Sequence, residues 1–352
     1  MKPLGRRRAF QLPPHRVTAT IDKSLLESAW QTVRPVVRWT PLLHSDYVDS
    51  LVGARVFLKA ESLQLAGSFK MRGACFRVSR LSGAERSRGV VAFSSGNFAQ
   101  ALALAGRLAA VPVTIVMPCD APRRKVELTR RAGAAVVLTE HGERNREEVA
   151  NSRAHQIAEQ EGRVFLHPFD DALVVAGQST LMREVQLDAE RDGLRFDAIL
   201  CPVGGGGLIA GTALAEKYFG SGAEVIAVEP EACDDMCRSL ISHRRERNLG
   251  NPPTICDAMQ AFTPGEVPFA AAAHLLSRGI TVDDDSVRTA MRLAFEEFKI
   301  VLEPSGAIAL AAALRHRGEF ENRTLALLCC GGSVSVEDLV RLTGASAPAA
   351  AH

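Results

Sequence analysis

Along the chain, short runs of mostly apolar residues alternate with longer stretches whose apolar positions recur at helical spacing. The strand-like runs lie at 54–59, 90–93, 113–117, 135–138, 198–201, 224–228 and 324–328. Each gives way, through a turn with glycine or proline, to a helical pattern. A strand apolar at successive positions, rather than at every second one, has both faces covered. Strands alternating with helices predict an α/β fold with parallel-rich twisted sheets flanked by helices. No internal repeat is present. Residues 1–20, rich in Arg and Pro, are expected to be a loose arm, and residues 345–352 a frayed tail.

Three of the strand-to-helix turns carry chemistry. The turn after 54–59 ends in Gly67-Ser68-Phe69-Lys70-Met71-Arg72-Gly73-Ala74, which sets Lys70 beside a helix N-terminus. Backbone N–H groups there favour anions, so a reactive amine is held against an anionic ligand. The other two are Ser94-Ser95-Gly96-Asn97-Phe98-Ala99-Gln100 and Gly204-Gly205-Gly206-Gly207-Leu208. The glycine run lets backbone approach a phosphate closely. Together the turns predict one anion-binding crevice at the carboxyl ends of a parallel sheet. A competing reading exists. Gly205-x-Gly207-x-x-Ala210 follows a strand, and Glu229 ends the next one, where a ribose-binding acid belongs. That would make the chain an NAD-linked oxidoreductase, but it leaves Lys70 and Asn97 without work.

Composition narrows the classes. The 352 residues are 47% hydrophobic and 23% charged, enough for a sizeable core and two or three domains. A net charge of +2 argues against a nucleic-acid binder. No apolar run reaches the roughly 18 residues of a membrane span, and no apolar core follows the charged start, so neither a membrane nor a secretory signal is expected. The eight cysteines lie mostly in apolar context, which predicts reduced thiols and a cytoplasmic protein.

The motifs in order resemble the serine/threonine dehydratase and serine racemase family, pyridoxal-phosphate enzymes of the tryptophan-synthase-β-like fold (fold type II). The resemblance runs from Thr40-Pro41-Leu42 to Gly331-Gly332. It includes the Lys70 motif, the Ser-Gly-Asn turn, Pro168-Phe169-Asp170-Asp171, Ala176-Gly177-Gln178, the glycine loop, Val228-Glu229-Pro230, Glu303-Pro304-Ser305-Gly306-Ala307 and Cys330-Gly331-Gly332. The resemblance implies a cofactor, pyridoxal 5′-phosphate, held as a Schiff base by Lys70, which then acts as base at Cα. It implies that Phe69, Asn97, Gly204, Gly205, Gly206, Gly207, Glu303 and Cys330 complete the cofactor site. Asn97 would meet the ring oxygen, and the neutral thiol of Cys330 the ring nitrogen, leaving the ring a weaker electron sink suited to β-elimination. Ser94, Ser95, Asn97 and Arg146 would bind the substrate. Ser95 stands where serine racemases place a second acid/base. Glu229, Cys233 (through its carbonyl) and Asp235 resemble a site for Mg²⁺ or another divalent cation.

The expected activity is therefore an ammonia-lyase acting on a small β-hydroxy-α-amino acid such as L-threonine or L-serine. An amino-acid racemase or a 3-hydroxyaspartate dehydratase is the neighbouring reading. The resemblance also implies a homodimer and two domains. Residues 75–162 would form a small mobile domain, inserted between 21–74 and 163–344 of a large one. No room is expected for a C-terminal regulatory domain. The sequence departs from the family pattern at Phe98, usually histidine, and at Ala258 and Ser333. Phe98 points to a pocket that prefers a less polar β-substituent.

Overall fold

The computed structural model describes residues 20–250 and 252–344, so most of the expected arm and all of the expected tail lie outside the described residues. Its strands are β1 (Leu42–His44), β2 (Arg55–Ala60), β3 (Val90–Phe93), β4 (Val113–Pro118), β5 (Ala135–Thr139), β6 (Val164–Phe165), β7 (Ala198–Pro202), β8 (Glu224–Pro230), β9 (Arg278–Val282) and β10 (Thr324–Cys329). They form a six-stranded sheet, β1-β2-β10-β7-β8-β9, and a four-stranded one, β5-β4-β3-β6. Every pairing is parallel except β1 with β2. The inner strands β3, β4 and β7 are buried at every position, as continuous apolarity requires when helices cover both faces.

Three strands escape the apolar pattern. β1 and β6 are too short to show a period. β9 is an edge strand whose Arg278, Gly279 and Thr281 are only half-buried, so its sequence has no apolar run.

The helix Lys70–Ser79 joins the two layers. It sends Met71, Ala74 and Val78 into the core under the smaller sheet and Phe76 into the core of the larger one. A division at residues 74/75 falls inside it, and the smaller sheet extends through Phe165, past residue 162. Its crossing with the helix Ala172–Asp192 is fixed by Gly177: a Cβ there would lie 2.7 Å from both Arg72 O and Gly73 Cα. Backbone meets backbone, which only glycine permits. The first turn of the Lys70 helix is therefore held close against the helix Ala172–Asp192.

Candidate active site

The carboxyl ends of β3, β7 and β10 open onto one cavity of about 860 Å³, the open solvent at its mouth included. Its walls bring together the three chemical turns. Lys70, Ser94, Ser95, Asn97 and Gly204–207 all line it, with Phe69, Glu303 and Cys330. Ligands of parallel α/β sheets bind at such strand ends.

Two helices point uncapped N-termini at it. Neither Asn97–Leu108 nor Gly207–Phe219 has a side-chain cap, so the first N–H groups of each remain for an anion. The glycine loop is required by geometry. Gly206 has φ +93°, and a Cβ on Gly205 would lie 2.2 Å from the Phe169 ring. In the Ser-Gly-Asn turn, the Ser94 hydroxyl accepts the Gly96 N–H at 3.2 Å and braces the loop. Ser95 has no hydrogen bond among those described, so its hydroxyl is left for the cavity.

Lys70 is the first residue of its helix and donates from Nζ to the Pro168 carbonyl at 3.1 Å. Nζ also lies 5.2 Å from the Phe69 ring centroid and 5.8 Å from that of Phe98. Burial pulls this amine down to about 8, with Glu147 pulling the other way. His167 sits behind it. Its Nδ1 accepts the Asp170 N–H at 2.8 Å and the Phe169 N–H at 3.4 Å, and burial holds the ring down to about 3. It is thus a neutral support beside the lysine.

Asn97 Nδ2 donates to Glu303 Oε1, while its own Oδ1 is buried without a partner. Cys330 directs its thiol at the Ser305 carbonyl (3.3 Å), and burial raises it well above an ordinary thiol, so it stays neutral.

Some predicted residues lie elsewhere. Arg146 does not line the cavity; its Nη1 turns to Asp120 Oδ2 at 3.3 Å. The next residue, Glu147, lines it instead, a carboxyl that burial pushes up to about 7. Lys125, tied to Asp257 and Glu303, lines it too. The sequence offered only weak signals for these two. Glu147 shares a charged run with Arg146, and Lys125 stands among arginines.

Glu229 and Asp235 form a separate buried cluster. Glu229 accepts the N–H groups of Met236 (3.0 Å) and Cys237 (2.7 Å), and burial together with the charge of Asp235 raises it well above its usual range. It is therefore not a free acid beside the glycine loop, as a dinucleotide reading requires. Asp235 Oδ1 accepts from Asn248 at 2.6 Å, and Oδ2 has no partner. Cys233 lies buried between them in sequence, with its N–H on Pro230 O.

A buried amine of lowered basicity, uncapped helix ends and a glycine cradle fit a phosphate-bearing aldehyde cofactor. Residues 33–331 match the family described as "Pyridoxal-phosphate dependent enzyme". The chain belongs to that family. It is 37% identical over 317 residues to the L-threonine ammonia-lyase of Thermotoga maritima, covering 90% of this chain and 77% of that one. It is 37% identical over 305 residues to the L-threo-3-hydroxyaspartate ammonia-lyase of Saccharomyces cerevisiae, covering 87% and 91%. The structure of maize serine racemase superposes with a TM-score of 0.85 at 32% identity, covering 92% of this chain and 97% of that one. Among the described residues no helix is long and apolar enough to cross a membrane.

Proposed function

We propose that this protein is an ammonia-lyase that converts a β-hydroxy-α-amino acid, L-threonine or L-serine, to a 2-oxo acid and ammonia. The observation that carries this is the placement of the Lys70 amine in one cavity with the Ser94–Asn97 turn and the glycine loop. Lys70, Phe69, Asn97, Gly204–207, Glu303 and Cys330 would hold pyridoxal phosphate. Once bound, it supplies an aldehyde for the amine and a ring that draws electrons from Cα.

The chain's own residues do the rest. The N–H groups at the start of the Asn97–Leu108 helix, with Ser94 and Ser95, bind the substrate carboxylate. The Lys70 amine takes the proton from Cα; with its basicity lowered it is partly free near neutral pH. The rings of Phe69, Phe98 and Phe169 exclude water around it. The β-hydroxyl leaves as water, and a water returns to release ammonia, so the net change is β-hydroxy-α-amino acid to 2-oxo acid and ammonia.

The free Ser95 hydroxyl in the same cavity favours a second reading, amino-acid racemisation alongside elimination. Glu229, the Cys233 carbonyl and Asp235 would take a divalent cation, a reading supported by the unpartnered Asp235 Oδ2. The four-stranded unit would be the mobile domain, the compartment the cytoplasm and the assembly a homodimer, these last two resting on the family resemblance.

The test is an absorption spectrum of the purified protein before and after L-threonine, with 2-oxo acid assayed in the same cuvette. A yellow protein whose band shifts as oxo acid appears is expected, with Lys70→Ala inactive. A protein that stays colourless with added pyridoxal phosphate, or full activity in Lys70→Ala, overturns the reading.

A further inference from the structure

The cavity holds a second buried amine whose partners lie across the cleft. Lys125, on the helix Arg123–Arg131 packed with the smaller sheet, is 4% exposed and lines the cavity. Its Nζ donates to Asp257 Oδ2 at 2.7 Å and lies 3.5 Å from Glu303 Oε2. Both acids belong to the part of the chain built on the larger sheet. The amine reaches them over Gly96, where a Cβ would lie 3.0 Å from Lys125 Cδ. Glu303 Oε1 accepts from Asn97 Nδ2, and Gly331 leaves room for that pair: a Cβ there would lie 2.3 Å from the Glu303 oxygen.

Two other contacts cross the same cleft, Arg247 to Glu148 at 2.8 Å and Asn145 Nδ2 to the Gly250 carbonyl at 3.2 Å. Both are exposed and open to screening by salt. The Lys125 pair is a buried ion pair, set beside the buried Asn97–Glu303 bond that crosses with it. The charged and titratable groups facing Glu303 are Lys125, Asp257 and Cys330. Lys125 is the only cation among them, and the thiol is neutral.

We propose that Lys125 is a positioning residue: its ion pair across the cleft favours the charged form of the buried Glu303 against the burial that opposes it, and so fixes which end of the Asn97 amide faces Glu303 while the two units are closed together. The proposal rests on the cavity being the reaction site. Without the lysine, a buried carboxyl beside Asp257 takes up a proton. A protonated Glu303 donates rather than accepts, and the buried Asn97 Oδ1, now without a partner, becomes its natural acceptor. The amide turns over, and the N–H groups offered to the cavity change. Opening the cleft instead parts Glu303 from Lys125 and Asn97 together, since both lie with the smaller sheet.

The test uses the holoenzyme and the variants Lys125→Gln, Lys125→Arg and Asp257→Asn. Small-angle scattering reads closure, and the acid limb of kcat reads the ionisation of Glu303. Lys125→Gln is expected to enlarge the radius of gyration and raise the acid-limb midpoint by about one pH unit or more, with KM little changed. Lys125→Arg should restore both. Asp257→Asn removes a like charge from Glu303, so its midpoint should move down. A merely structural lysine would lower stability without moving the two midpoints in opposite directions. Unchanged scattering and an unchanged acid limb in Lys125→Gln overturn the proposal. If Lys125→Gln fails to fold, a downward midpoint in Asp257→Asn supports it, and an unmoved or raised one overturns it. If no substrate turns over, the cavity reading has failed, and scattering alone judges the closure: an unchanged radius in Lys125→Gln overturns it.

Discussion

Arg72 and Glu184 meet in a doubly bonded pair, Nη1 to Oε1 at 2.7 Å and Nη2 to Oε2 at 2.9 Å, with both side chains fully buried. The same guanidinium bonds Glu61 at 2.8 and 2.7 Å. Lys59 joins Glu184 at 3.0 Å and Asp188 at 3.4 Å. Burial by itself would raise the Glu61 carboxyl, but Arg72 and Lys59 outweigh it and hold it below its ordinary value. Arg72 stands two residues after Lys70, so this network fixes the turn that carries the amine.

Removing the guanidinium should therefore cost more than a surface change would. Arg72→Ala leaves Glu61 and Glu184 buried without their partner, a loss of about 3–5 kcal/mol for a broken buried pair. Arg72→Lys keeps the charge but not the fork and should fall between. Urea unfolding of the three proteins measures it. Wild-type stability in Arg72→Ala would deny the network its role. Because the folded-state value of Glu61 is depressed, the stability it adds is present above its unfolded value. That contribution is lost as pH falls through the folded one.

The Lys70 amine gives a pH-dependent prediction. Its folded value of about 8 lies below the ordinary 10.5, so between them the unfolded chain binds more protons and stability rises with pH. Lys70→Met should abolish that slope. In the cofactor-stripped protein, an amine-selective acylating reagent followed by peptide mapping should modify Lys70 with a midpoint near 8. Glu147 raises that value, so Glu147→Gln should lower the midpoint further. A midpoint near that of exposed lysines, or one that rises in Glu147→Gln, would contradict this electrostatic account.

How far the sequence could be read depended on how local each signal was. Strands β3, β4 and β7 were legible because burial on both faces leaves an unbroken apolar run. β9 was not, because an edge strand keeps polar residues such as Arg278 and Thr281. The chemical turns were legible because Lys70, the Ser94–Asn97 run and the glycine loop each write their geometry in adjacent residues. Glu147 and Lys125 were not, since only tertiary packing turns a helix charge toward a cavity. The choice between Arg146 and Glu147 lay in one step of helix phase. Arg72 gave no hint that two acids, Glu61 and Glu184, would be buried with it.

Ser94 and Ser95 differ in what holds them, and this separates their roles. The Ser94 hydroxyl is bound to Gly96 N–H, while that of Ser95 has no described partner. Ser95→Ala should leave elimination of L-serine within a few-fold of wild type and reduce any D/L interconversion by about 100-fold or more, the worth of a positioned proton donor. Chiral chromatography of serine recovered from the reaction measures it. An unchanged interconversion rate would remove Ser95 from the proton path. Ser94→Ala, by contrast, should loosen the turn and raise KM.

The cluster of Glu229 and Asp235 yields the last prediction. The charge of Asp235 helps raise the buried Glu229 carboxyl, yet Asp235 Oδ2 accepts no hydrogen bond. A buried oxygen left so costs about 1–3 kcal/mol, more if it is charged. Mg²⁺ or Ca²⁺, oxygen-seeking and doubly charged, would satisfy both carboxyls along with nearby carbonyls. Millimolar amounts of either ion should therefore raise Tm by a few °C over chelator-treated protein, about 1–2 °C per kcal/mol for a chain of this length. Asp235→Asn supplies an amide with fewer demands, so it should raise Tm in chelator and erase the response to the ion. Lys70→Ala, which touches neither carboxyl, should keep the response. Equal Tm with ion and with chelator in the wild type would mean that the cluster is held by its protons and by Asn248, with no cation involved.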